Sequence, residues 1–177
     1  LTVRAAYKKI EPVIEYFFDS YATVLNGPPI PFFEEKEPYK LQNEPLGMQV
    51  IEGYIFPKYN NANKPAVQYQ LNEMLHHLNN LPATNEPFEF NDANIFDAFI
   101  EEMYRITVLG LSGFDSQTAQ NSLPECAAAL QGLQQFLLYY ETAFNEKIPG
   151  KYDQLNGLFK AAGNFIAENN NFNGFNR

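Results

Sequence analysis

Apolar residues return every three or four positions over most of this chain, the spacing of helices that each bury one face. Val3, Tyr7, Ile10, Ile14, Phe17, Phe18, Tyr21 and Leu25 form the first such series, and Pro12 inside it predicts a kink. "NGPPIPFFEEKEP" then breaks the periodicity: Gly27 can end the helix, and the prolines forbid another until about Pro45. The segment predicts an extended, proline-rich surface loop anchored by Phe32 or Phe33.

A second helix is predicted from Glu44 and Pro45 to a stop at Pro57. A third runs from about Pro65 to Leu81, with Val67, Leu71, Met74, Leu75 and Leu78 as its buried stripe. Asn91 can cap the next, whose predicted buried face is Ile95, Phe96, Phe99, Ile100, Met103 and Ile106, and Gly110 and Gly113 mark its end. Ser122 followed by Glu125 has the spacing of a capping box, and Cys126, Leu130, Leu133, Leu137, Tyr140 and Phe144 continue from it. "IPGKY" turns the chain into a last helix lined by Leu155, Leu158, Phe159, Ala162, Phe165 and Ile166.

No strand-like alternation and no Asn-Gly hairpin between apolar runs interrupts this pattern. The predicted fold class is therefore all-α: an antiparallel bundle of about six helices spanning residues 1–168, with 169–177 as the start of a linker.

Composition narrows the picture. With 45% hydrophobic and 15% aromatic residues and no Trp, the interior must be built from Phe, Tyr, Leu, Ile and Ala. A net charge of -9 argues against nucleic acid or an anionic membrane as partner, because both need Lys and Arg to displace counterions. No run approaches the ~20 apolar residues of a membrane span. The opening "LTVRAAYKK", without Met or a signal pattern, reads as a mature or trimmed terminus. A single cysteine, Cys126, leaves no internal disulfide, no CxxC pair and no CxxCH for covalent haem; its place on an apolar helix face reads as structural.

Gln49 and Glu52 are three residues apart and share a helical face, so two oxygens can point to one place. As metal ligands they are a weak pair, because an amide carbonyl and one carboxylate need imidazole or further acids beside them. The plainer reading is that they hydrogen-bond each other, loop backbone or water. Glu73 and His76 have the Glu-x-x-His step that forms half of a di-iron site, but the other half is missing. His76 and His77 diverge by about 100° on a helix and read as surface or boundary residues. Glu101 and Glu102 beside Arg105 read as a solvated face with a local ion pair.

"GMQVIEGYIF" resembles the Gly-x-His-x-x-Glu helix of the imelysin-like family, with Gln49 where that family has its histidine. The resemblance implies a periplasmic or lipid-anchored helical bundle linked to iron uptake or peptidase-like activity. Glu52, with Gln49, would be the inherited metal position, and Pro45, Gly47, Gly110 and Gly113 would be structural.

"AAYKKIEPVIEYFF", "LNGPPIP", "EPLGMQVIEGYIFP" and "RITVLGLSGFDS" together resemble the N-terminal helical region of di-haem cytochrome c peroxidase-like proteins of the Bacteroidetes type. That resemblance implies a haem-free, non-catalytic accessory domain of a periplasmic oxidoreductase, acting structurally or in docking an electron donor. It places haem c in a C-terminal part beyond this segment. Its implied partners are those di-haem domains and a small cytochrome donor. The alternative is a stand-alone imelysin-like protein that binds iron or another metal, or acts as a peptidase.

Overall fold

The computed structural model describes residues 2–36, 39–81 and 90–176, with side chains described outside 32–42. Helices dominate, as the periodicity predicts, and the chain divides into two compact units, residues 1–16 with 90–177 and residues 17–89.

The first unit contains α1 (Thr2–Phe17, through Tyr16), α5 (Asp92–Arg105), α6 (Ser122–Leu138), α7 (Glu141–Lys147) and α8 (Lys151–Glu168). Its core is centred on α6, where Leu123, Leu130, Leu133 and Leu137 pack with Phe99 of α5 and with Tyr152 and Ile166 of α8. Asn91 caps α5 by accepting a hydrogen bond from the Asn94 N–H at 2.9 Å, as its position before the apolar series predicts. Beyond Arg105 the chain widens into a π-turn, Ile106–Gly110, closed by the Leu111 N–H donating to the Ile106 carbonyl at 2.9 Å.

Two glycines set close approaches here. A Cβ on Gly132 of α6 would collide with the backbone of Lys9, so α1 lies directly against α6 at this point. A Cβ on Gly110 would collide with Cys126 Sγ, which lets the end of the π-turn press onto α6.

The second unit contains α2 (Asp19–Asn26), a hairpin of β1 (Phe32–Lys36) and β2 (Tyr39–Asn43), α3 (Met48–Ile55) and α4 (Lys64–Asn80). Ala22, Leu25, Met48 and Met74 form its apolar interior. Gly47 has φ 103° at the entry to α3, and a Cβ there would strike the backbone oxygens of Val24 and Leu25.

Several expectations change. The first apolar series runs through Pro12 within one helix and is interrupted at Phe18, whose φ of -137° and ψ of 49° leave the helical region. The proline-rich segment is not all loop: β1 and β2 pair antiparallel, with Phe32 opposite Asn43 and Lys36 opposite Tyr39. "FFEEK" carries no alternation, and Tyr39-Lys40-Leu41-Gln42 alternates over only four residues, too short a run to announce a strand amid the prolines. The anchoring role expected of Phe32 or Phe33 lies outside the described side chains.

Helix α4 buries Gln70 and Met74, whereas Leu71, Leu75 and Leu78 are 46%, 55% and 40% exposed. Ile100 and Met103 of α5 are likewise exposed, because that helix turns Ala98, Phe99 and Glu102 inward. The expected linker region folds back: a 3₁₀ turn at Phe172–Gly174 places Phe172 and Phe175 on the first unit's core.

Candidate functional site

The densest chemistry lies inside the first unit. Arg4, Lys8, Glu11 and Glu15 recur along one face of α1, and that face is turned inward. It meets Glu102 and Arg105 from α5, Asp115 from the 3₁₀ turn Phe114–Ser116, and Glu125 from α6.

Arg4 grips Glu125 with both prongs of its guanidinium, Nε to Oε1 at 2.7 Å and Nη2 to Oε2 at 2.8 Å. Its Nη2 also donates to the Asp115 carbonyl. Lys8 Nζ bridges two carboxylates, Glu11 Oε1 at 2.6 Å and Asp115 Oδ2 at 2.7 Å. Arg105 Nη2 lies 3.0 Å from Glu15 Oε1 and 3.4 Å from Glu11 Oε1. The Tyr7 hydroxyl donates to Glu15 Oε1 at 3.0 Å.

These distances are those of charge-assisted hydrogen bonds, which is how buried charges are held without prohibitive desolvation cost. Burial alone would lower the affinity of Lys8 for its proton; the carboxylates of Glu11 and Asp115 outweigh it and raise its pKa. Glu15 is raised, chiefly by burial, with Arg105 opposing.

Glu102 differs from its neighbours. It is 1% exposed, and Arg105 Nε is 3.8 Å from its Oε2, beyond hydrogen-bond reach. Burial, followed by the negative charge of Glu11, pushes its carboxyl up to about 9. A cavity of about 10 Å³ adjoins it, lined also by Lys8, Glu11, Ser122 and Cys126. Such a space holds a water-sized species and no organic ligand.

Two expectations are corrected at this site. Ser122 and Glu125 do not form a capping box: α6 starts without a side-chain cap bond, and Glu125 is taken by Arg4 and by Asn121 Nδ2 at 3.2 Å. Glu102 is not on a solvated face, although Glu101 is exposed. Cys126 is buried, as its place in the apolar stripe predicts, and burial pushes its thiol up to about 12, so it stays a thiol at neutral pH.

The second unit holds the Gln49 and Glu52 pair, both buried on α3. Gln49 Nε2 donates to the Asn26 carbonyl at 2.8 Å, so the amide ties α3 to the end of α2. Among the described residues no group of three His, Cys, Asp or Glu side chains is placed to hold a metal ion. Gln49 and Glu52 offer one amide oxygen and one carboxylate, a donor pair that needs further ligands to hold iron.

Pro45 and Gly47 are held by a residue the sequence did not single out. Gln70 Oε1 accepts from the Gly47 N–H at 2.9 Å while its Nε2 donates to the Pro45 carbonyl at 3.3 Å. His76 is exposed and contacts Asn80 at 3.2 Å, while His77 sets its ring edge-on to Tyr21 at 6.0 Å. Gly113 has φ 84°, and a Cβ there would enter the Phe172 ring.

Comparison with protein-family models, with curated proteins and with solved structures finds no match to this chain. Among the described residues no helix is long and apolar enough to cross a membrane.

The ion network was not foreseen: Glu102, Arg105 and Glu125 were read on their own helices, and Arg4, Lys8, Glu11, Glu15 and Asp115 were not singled out. Arg4, Lys8, Glu11 and Glu15 repeat with the same helical period as the apolar series. A charged stripe of that regularity, on a helix whose neighbours carry Glu102, Arg105 and Glu125, was the available signal.

Proposed function

We propose that this chain is a haem-free, imelysin-like accessory domain of a di-haem cytochrome c peroxidase-like periplasmic protein. Its role is to pack against the haem-bearing part of the parent chain and to present an acidic surface to a small cytochrome donor.

The observation that supports this reading is the displaced apolar surface. Leu71, Leu75 and Leu78 follow one face of α4, and Ile100, Tyr104 and Val108 follow one face of α5 and its π-turn; all six are exposed. Contiguous apolar stripes on helices are surfaces that a partner covers. In this reading the partner is the C-terminal di-haem part, which is supported by the likeness of "EPLGMQVIEGYIFP" and "RITVLGLSGFDS" to the peroxidase-like region. The charge of -9 suits electrostatic steering of a basic cytochrome.

No residue of this chain would hold haem c, since the sequence has one cysteine and no CxxCH. Peroxide chemistry, in this reading, belongs wholly to the haem-bearing part, where the bound haem supplies the redox step. The buried ion network contributes by fixing α1 to α5 and α6.

The test is a comparison of the parent protein with Leu75→Glu and Ile100→Glu variants. Both positions are solvent-facing, so the helical content of this domain should stay unchanged while the midpoint of thermal unfolding of the parent falls. Unaltered parent stability and unaltered donor kinetics in both variants would remove the packing role.

A further inference from the structure

We infer that Glu102 and Glu11 share a single proton, with Glu102 stored as a neutral carboxylic acid inside the ion network and donating its hydroxyl to the Glu11 carboxylate. The pair joins α5 to α1 through a hydrogen bond that exists only while the proton is held.

The geometry comes from an accounting of hydrogens. Among the described residues, Glu11 Oε2 and both oxygens of Glu102 are buried without a hydrogen-bond partner, as is Ser122 Oγ. Glu11 is otherwise well held, since its Oε1 receives Lys8 at 2.6 Å and Arg105 at 3.4 Å. With both carboxyls ionised, the three orphaned oxygens are buried acceptors without a hydrogen bond, since the unpaired Arg105 Nε stops 3.8 Å short of Glu102 Oε2, and each buried unpaired acceptor costs about 1–3 kcal/mol.

One proton on Glu102 changes the balance. It turns an acceptor into a donor, gives Glu11 Oε2 its partner and removes one of two adjacent like charges. The contact between these carboxyls raises the pKa of Glu102 along with burial, while Lys8 and Arg105 act the other way. A metal ion is a poorer solution, because Lys8 and Arg105 already bring positive charge to the same oxygens and the adjoining cavity of about 10 Å³ leaves no room for a hydration shell.

The groups around the pair come from every element packed on it. Arg4, Lys8 and Glu15 face it from α1, Arg105 from α5, Asp115 from the 3₁₀ turn, and Glu125 and the neutral Cys126 thiol from α6. Once the shared proton leaves, three cations face five carboxylates and the excess negative charge sits one turn before the π-turn Ile106–Gly110. The arrangement is a proton-dependent latch between α1 and α5.

Carbon-detected NMR of the side-chain carboxyls in the 177-residue chain tests this without altering the site. The Glu102 carboxyl carbon should stand at the position of a protonated acid at pH 7 and move to the carboxylate position only at alkaline pH. A Glu102 signal already at the carboxylate position at pH 7 would overturn the proposal. In Glu11→Gln, loss of the neighbouring charge should shift the Glu102 titration at least tenfold in proton concentration toward acid. An unshifted titration in that variant would show that burial alone holds the proton and that the two carboxyls do not share it.

Discussion

Arg4 and Glu125, separated by most of the chain, are joined by two parallel hydrogen bonds of 2.7 and 2.8 Å in the interior of the first unit. The pair ties the first turn of α1 to the first turn of α6. Removing one partner leaves the other charge buried and unpaired. Arg4→Met should therefore destabilise the protein by about 3–5 kcal/mol, read as a lowered urea midpoint. Adding Glu125→Leu to Arg4→Met should recover most of that loss, because a buried pair replaced by apolar side chains costs little.

The pH dependence has a definite sign. Glu102 is held near 9 in the folded protein, against an ordinary carboxyl near 4.5 when unfolded. Between those values the folded chain keeps a proton that the unfolded chain has released, so stability falls as pH rises. The slope from this group is up to ~1.4 kcal/mol per pH unit. Unfolding free energies of wild type and Glu102→Gln, measured by urea from pH 5 to pH 9, should diverge steadily in favour of the variant. Glu15, also raised, contributes in the same direction to both proteins and cancels in the difference.

Glycines separate close approach from empty surface. Gly132→Ala puts a methyl group into the Lys9 backbone and should cost about 1–3 kcal/mol, seen as a lowered Tm. Gly157 and Gly163 lie within α8 with open space where a Cβ would go. Alanine at either should stabilise by about 0.5–1 kcal/mol in the same assay.

Gln70 is the clamp on the entry to α3. Gln70→Leu leaves the Gly47 N–H and the Pro45 carbonyl without their partner and should cost about 1–3 kcal/mol. Hydrogen exchange at the Gly47 amide should accelerate beyond the change that lost global stability explains.

The helices were legible because a 3.6-residue period survives whatever the helix packs against. Cys126, Leu130, Leu133 and Leu137 are buried as their spacing indicates. The period does not say which flank of the stripe turns inward. In α4 the answer was set by Gln70 reaching Pro45 and Gly47, which left Leu71, Leu75 and Leu78 outside.

The ion network left only the charged period of α1 as a signal, for a related reason. Charged residues on an amphipathic helix are ordinarily its solvated side, and only their partners on other elements reverse that. Ser122 and Glu125 have the spacing of a capping box, yet a guanidinium far away in sequence competes better for the carboxylate than a backbone amide does. The break at Phe18 carries no glycine or proline to announce it.

The central functional claim is that this domain serves a haem-bearing parent. Its most direct test is the covalent haem content of the complete natural gene product, measured by pyridine haemochrome on protein purified from the periplasm. About two haems per chain, bound at two CxxCH motifs outside these residues, is the predicted result. A complete product that reaches the periplasm and carries no covalent haem would contradict the account.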